Sequence, residues 1–326
     1  MTTPLALASP SPVHALPEVS RALGAEVFVK REDQTHPELG GGKARKLVPL
    51  LAEAAERGAT HLLTIGAIGS NHVFATAHHG RQLGLGVWAA LVPHPYSEAA
   101  RRVAGQTCAL EVELVPARHE PHAVWQAGVH LQQLKAQGAR PFVIPPGGTS
   151  PTAVTGCAAA GRELLQQLDS GVIPKPDAIF CVLGSGGTAA GLWQALSERD
   201  WPIELYAVRV YPSWLLGRTA LALLSRGLSP RPRPAALKLV DDQLGGGYGT
   251  PTDAGRAAQA LFRQDGLELD LTYTAKAAAA LVAEARGALA GRRLLLWHTA
   301  PGGRLSSATE ALPIPERLER LWLRNG

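Results

Sequence analysis

Short apolar runs alternate with amphipathic stretches along most of this chain, and that alternation limits the fold more than any other feature. After a proline-bearing arm up to about Pro17 and a short helix or turn over 18–23, residues 26–30, 61–65, 87–92, 111–115 and 142–144 read as strands. Residues 72–83, 97–106 and 123–136 carry helical spacing. A second set repeats the pattern: a helix over 152–168, a strand over 178–183, a helix over 188–197, a strand over 203–210, helices near 216–225, 253–264 and 276–288, and a closing strand over 294–297. Strands separated by helices form parallel sheets with helices on both faces, and such sheets take ligands at the carboxyl ends of their strands. With 326 residues, 46% of them apolar, the chain has material for two such domains.

The informative loops do follow strands. The first runs through Arg31-Glu32-Asp33 to Gly40-Gly41-Gly42-Lys43 at the start of a helix, whose apolar Leu47, Leu50, Leu51, Ala54 and Ala55 recur up to a stop at Gly58. Pro49 sits badly in that helix, because it removes a backbone donor beyond the first turn. A helix start disfavours an ammonium, so Lys43 there loses its proton more easily and becomes a nucleophile or Schiff-base lysine. The same eight residues, 40–47, would also make a glycine turn before a solvated basic helix end, and alone they leave both readings open.

The second loop, Gly66-Ala67-Ile68-Gly69-Ser70-Asn71-His72, caps a helix and offers N–H groups to a carboxylate, or is plain capping. The third, Gly184-Ser185-Gly186-Gly187-Thr188, gathers backbone N–H groups and two hydroxyls at a helix start, which suits a phosphate. It lacks the Gly-Lys-Ser/Thr of a P-loop. It also lacks the acidic residue about 20 positions on that a dinucleotide ribose needs, since the next strand ends in Val208-Arg209-Val210-Tyr211.

Several classes recede on composition. The net charge of +5 is modest and its basic residues are scattered, without the stripe of a nucleic-acid binder. No segment offers about 18 uninterrupted apolar residues and the first twelve residues lack a signal-peptide pattern, so the reading is cytoplasmic, without a membrane partner. Cys108, Cys157 and Cys181 are far apart and read as buried apolar residues, with neither disulfides nor a metal site expected. His72, His78 and His79 lack acidic partners at metal-ligand spacing.

A Schiff-base lysine, an anion-binding Ser-Asn helix start and a separate phosphate-binding helix start together suggest pyridoxal 5′-phosphate. From about Val29 to Gly303 the chain resembles the family of pyridoxal-phosphate enzymes that contains D-cysteine desulfhydrase and 1-aminocyclopropane-1-carboxylate deaminase. The resemblance rests on Val29-Lys30-Arg31-Glu32-Asp33, the lysine loop, the Ser-Asn loop, Gly147-Gly148-Thr149-Ser150-Pro151, the 184–188 loop, Gly247-Tyr248-Gly249 and Tyr273-Thr274-Ala275-Lys276. It implies a two-domain, three-layer α/β/α architecture, the tryptophan synthase β-like fold or fold type II. Residues 1–45 and 152–326 then make the large cofactor-binding domain and 46–151 a small inserted one, with the cofactor in the cleft. A homodimer is implied as well.

Residue by residue, the resemblance implies that Lys43 carries the cofactor and shuttles protons, and that Asn71 hydrogen-bonds the cofactor's phenolic oxygen. Ser70 lies close to the substrate, as a carboxylate ligand or a catalytic proton-transfer group, and the substrate carboxylate is expected at Ser70, Asn71 and His72. Gly184, Ser185, Gly186, Gly187 and Thr188 take the phosphate; Tyr248 and Tyr273 face the substrate; Thr274 faces the pyridine nitrogen. Ring-opening deaminases of the family have a carboxylate where Thr274 stands, so the expected reaction is α,β-elimination with a good leaving group, D-cysteine giving pyruvate, ammonia and hydrogen sulfide. Within the class, 1-aminocyclopropane-1-carboxylate deaminase, L-cysteate sulfo-lyase and β-replacement synthase are alternatives. Outside it stand a nicotinamide oxidoreductase and a non-catalytic cofactor-binding protein. Gly42, Gly69 and Ala275 depart from the usual Asn, Gln and Gly, and a wider pocket is the expectation they raise.

Overall fold

The computed structural model describes residues 5–212, 221–222, 224–226, 237–305 and 312–323. The helix expected near 216–225 falls largely outside them. In chain order the elements are β1 (Val13–Ala15), α1 (Pro17–Leu23), β2 (Glu26–Arg31), α2 (Gly42–Glu56), β3 (His61–Ala67), α3 (Asn71–Gln82), β4 (Gly86–Val92), β5 (His94–Pro95), α4 (Glu98–Cys108), β6 (Glu113–Pro116), α5 (Glu120–Ala136) and β7 (Pro141–Val143). They continue with α6 (Pro151–Asp169), β8 (Ala178–Leu183), α7 (Gly187–Leu196), β9 (Glu204–Arg209), β10 (Leu237–Val240), α8 (Asp253–Phe262), α9 (Thr274–Ala285), β11 (Arg293–His298), α10 (Glu316–Glu319) and β12 (Trp322–Leu323). Among the described residues no helix is long and apolar enough to cross a membrane.

The chain divides into two compact units. The larger comprises the described residues of Leu7–Lys46 and Ser150–Gly303. Its sheet runs β1-β2-β11-β8-β9-β10, parallel except for β1 against β2. Strand alternation splits the core between the two faces. Phe28, Ile179, Cys181, Leu205 and Leu295 pack with α6 and α7 on one side. Val27, Val29, Phe180, Val208 and Leu294 pack with α1, α8 and α9 on the other. Strands buried on both faces read as near-continuous apolar runs, which is why the sequence marked them.

The smaller unit comprises the described residues of 1–6, Leu47–Thr149 and 304–326. Its parallel sheet runs β6-β4-β3-β7, with Ala89 and Leu91 facing α3 and α4, and Trp88 and Ala90 facing α5. The division drawn from sequence differs at the C-terminus, where it kept 304–326 with the larger domain. Instead β12 pairs in parallel with β5, and Leu318, Leu321 and Trp322 enter the core beside Ile68 and Val73. Burying such side chains contributes roughly 1.5–3 kcal/mol each, which is what draws the tail there. Helix α2 continues through Pro49 because Leu47, Leu50, Leu51 and Ala54 are all buried, and that burial outweighs the lost backbone bond.

Candidate active site

In the larger unit the carboxyl ends of β2, β8 and β11 carry the residues singled out in the sequence. The Lys43 loop is locked first by main chain: Gly41 N–H donates to the Glu32 carbonyl at 2.9 Å and Gly42 N–H to the Thr299 carbonyl at 3.3 Å, just past β11. A Cβ at Gly42 would stand 3.0 Å from Thr299 Cβ and 3.9 Å from Thr188 Oγ1. The space that a larger side chain would take is therefore filled by Thr299, and the 184–188 loop lies directly alongside. The departure at Gly42 answers Thr299 rather than opening a pocket.

Lys43 is the group that this packing makes reactive. Burial, and then the neighbouring cation Lys46, push its amine down to about 7, against a weaker opposing influence from Cys157. Near neutral pH a large share of Lys43 is thus the neutral amine. Lys46, which sequence reading left on a basic helix end, is 3% exposed, and its Nζ donates to Ser185 Oγ at 3.1 Å. A signal existed: Lys43 and Lys46 are three apart on a helix and share one face.

The Ser185 loop leads from β8 into α7, whose cap residue Gly186 has φ 91° and makes no side-chain capping bond. A helix start whose cap residue is a glycine, with a buried lysine reaching its loop, is an anion cradle, and this observation fits the phosphate of the implied cofactor. Gly184, Ser185, Gly186, Gly187 and Thr188 are thus brought together with Gly42 and Lys46. Cys157 backs the same helix, close enough that a Cβ at Gly191 would be 2.5 Å from its own.

Arg45, between the two lysines, has a different environment. Its Nε donates to Glu32 Oε2 at 2.8 Å and its Nη2 to Glu163 Oε1 at 3.0 Å. Glu163 also accepts from Lys30 Nζ at 2.6 Å, and Lys30 is fully buried. Burial pushes the Glu163 carboxyl up, but the bonds from Lys30 and Ser9 and the charges of Arg45 and Lys30 outweigh it and hold the group at about 2. Lys30 and Glu32 belong to the motif ending β2, and the structure gives them this anchoring task.

A further cluster gathers where α9 begins. Tyr248 and Tyr273 share a hydroxyl–hydroxyl hydrogen bond, with the Tyr211 ring edge-on to Tyr248. Burial raises both phenols above their ordinary range, so both stay protonated near neutrality. One hydroxyl hydrogen joins the pair. Thr274 is fully buried, and its hydroxyl donates to Asp270 Oδ2 at 2.7 Å while accepting the Asp270 N–H at 3.0 Å. Asp270 also accepts the N–H groups of Tyr273 and Thr274, fixing this turn. Sequence reading passed over Asp270, although an acidic side chain just before a helix is the usual capping signal. Ala275 is fully buried in the core behind the turn.

In the smaller unit Ser70 caps α3, its Oγ accepting the His72 N–H at 3.2 Å and keeping its own hydrogen to donate. His72 Nε2 is 2.8 Å from Thr64 Oγ1, which donates to the Ile144 carbonyl and so receives the ring N–H. Among the described residues the buried Asn71 Oδ1 atom has no hydrogen-bond partner, a polar end left over for a ligand. Gly69 has φ 75°, and a Cβ there would meet the Ala100 carbonyl at 2.4 Å, so backbone geometry accounts for this second departure.

Comparison with known proteins places this architecture. Residues 5–300 match the family described as pyridoxal-phosphate dependent enzyme. The chain is 34% identical over 287 residues to D-cysteine desulfhydrase of Salmonella typhi, covering 85% of this chain and 86% of that protein, and equally so to the enzyme of Salmonella newport (strain SL254). A crystal structure of an ACC deaminase homologue superposes with a TM-score of 0.78 at 30% identity, over 97% of this chain and 95% of that one. The processed form of threonine deaminase isoform 2 from Solanum lycopersicum, 16% identical, shares the fold with a TM-score of 0.63 over 97% of this chain and 83% of that one.

Proposed function

We propose, from the premise that this chain belongs to the pyridoxal-phosphate dependent enzymes, that it catalyses α,β-elimination on a small amino acid. The substrate best supported is D-cysteine, which with water gives pyruvate, ammonia and hydrogen sulfide. The observation that carries the reading is Lys43, a half-buried amine brought down to about 7 beside an anion cradle. When bound, pyridoxal 5′-phosphate supplies an aldehyde that condenses with an amine and a ring that spreads the negative charge left at the α-carbon.

This chain's residues do the rest. Lys43 would hold the cofactor through its amine, and Lys43 or Ser70 takes the proton from the substrate's α-carbon. Lys46, Ser185 and the start of α7 hold the phosphate, with Gly184, Gly186, Gly187 and Thr188. Asn71 bonds the cofactor's phenolic oxygen. The start of α3 receives the substrate carboxylate at Ser70 and Asn71, the Ser70 hydroxyl donating to it, while His72, whose main-chain N–H goes to Ser70 and whose ring N–H goes to Thr64, braces that turn. Tyr248 and Tyr273, both protonated near neutrality, face the substrate on the side of the leaving sulfur. Thr274 faces the ring nitrogen, and its hydroxyl, already donating to Asp270, would hold a proton there less firmly than a carboxylate at that position. That favours loss of a good leaving group over opening of a carbon ring.

The kinship with an ACC deaminase homologue keeps one second reading, a deaminase of 1-aminocyclopropane-1-carboxylate. The reading further includes a cytoplasmic homodimer, on the sequence and the family resemblance. The test is release of pyruvate and sulfide from D-cysteine by the holoenzyme, with L-cysteine, 1-aminocyclopropane-1-carboxylate and Lys43→Ala alongside. Both products from D-cysteine, absent in the variant, are expected. Conversion of the cyclopropane substrate in their place would transfer the function to the second reading.

A further inference from the structure

Lys276 closes the motif Tyr273-Thr274-Ala275-Lys276, yet none of the chemistry above gives it a task. It lies in the first turn of α9 and is fully buried. Its Nζ donates to the Leu244 carbonyl at 2.8 Å and the Gly247 carbonyl at 3.2 Å. A buried ammonium is costly, and the usual offset is a carboxylate. Here the cation is spent on the main chain of one loop, where charge-assisted bonds to carbonyls are stronger than neutral ones. Gly247 directly precedes Tyr248.

The consequence is geometric. Tyr273 is the cap residue of α9, and Asp270 accepts its N–H at 2.7 Å, so its backbone is fixed at the start of the helix. Tyr248 sits on a loop with glycine at 245, 246, 247 and 249, which has little side-chain packing to hold it. Lys276 joins that loop to the helix carrying the other tyrosine. We propose that Lys276 is a positioning residue that fixes Tyr248 against Tyr273 by tying the Leu244 and Gly247 carbonyls to α9. This rests on the reading that the tyrosine pair faces the substrate.

The test is Lys276→Met in the holoenzyme, a substitution of similar length that removes the donors. Amide hydrogen exchange over 244–249 rises tenfold or more, while β8 and β11 keep their protection. With D-cysteine, kcat falls by about tenfold to a hundredfold, the scale of a misplaced catalytic group, with a much smaller change in KM. Adding Lys276→Met to Tyr248→Phe costs less than about twofold more, because the lysine acts through that hydroxyl. Unchanged exchange over 244–249, exchange raised equally throughout the larger unit, or losses that multiply in the double variant would each overturn the proposal. If the wild-type enzyme releases no sulfide from D-cysteine, the substrate reading fails, and the exchange measurement still decides the part played by Lys276.

Discussion

Lys43 and Arg45 are two residues apart at the start of one helix, both cations, and the structure treats them oppositely. Arg45 meets two carboxylates, Glu32 and Glu163, and its charge is fixed. The charge nearest in influence to Lys43 is another cation, Lys46, and its proton is loosened to about 7. Desolvation acts on both. What separates an anchor from a reagent is the sign of the neighbour, since desolvation alone acts against either charge.

The comparison can be broken most severely at Lys43 itself. Lys43→Ala takes turnover to background and abolishes the visible absorbance of bound cofactor, while the thermal transition of the cofactor-free protein stays within a few degrees of wild type. On the other side, Glu163→Gln leaves Lys30 and Arg45 buried without their shared carboxylate. It destabilises the fold by roughly 3–5 kcal/mol in denaturant titration, as removal of one member of a buried ion pair does. Stability unchanged in that variant would mean that the carboxylates do not account for the contrast.

The pH dependence sharpens the comparison further. Because Glu163 is held at about 2 in the folded chain against an ordinary value of 4.5, its contribution is present above pH 4.5 and is lost as pH falls from there towards 2. Acid unfolding of wild type therefore steepens in that window, and Glu163→Gln lacks the added slope. For Lys43 the sign is opposite in use: the reactive form is the deprotonated one. The rate at which cofactor-free protein captures pyridoxal phosphate, followed by absorbance, rises about tenfold per pH unit below 7 and levels off above it. Lys46→Met removes the neighbouring cation and so moves the midpoint of that profile to higher pH, and with the lysine of the phosphate cradle gone it also lowers the rate of capture at every pH.

Much of this was legible in the sequence. The strands of the two parallel sheets that lie between helices announced themselves as apolar runs, and the loops after β3 and β8 fell where ligands bind. Elements whose signal is not local escaped. β1 is three residues in a proline-bearing arm, and β5 and β12 are two residues each, so only their partners define them. β10 has Lys238 among its four residues and reads as a strand only beside β9. Lys46 read as a solvated helix end because composition does not reveal which face of α2 is buried. Gly42, Gly69 and Ala275 looked like signs of a wider pocket, and each has a neighbour that explains it: Thr299, Ala100 and the core behind α9. Such compensation lies far away in sequence and emerges only in three dimensions.

The strand order of the larger sheet has a consequence for how the protein comes into being. β11, residues 293–298, pairs with β2 on one side and β8 on the other, so the strand that joins the two halves of the sheet leaves the ribosome after both. Until then β2 and β8 each present an apolar edge with unmatched backbone groups, the form of surface that recruits other strands. Every nascent copy passes through that interval, and its yield depends on how quickly the chain is finished or how well chaperones cover the gap.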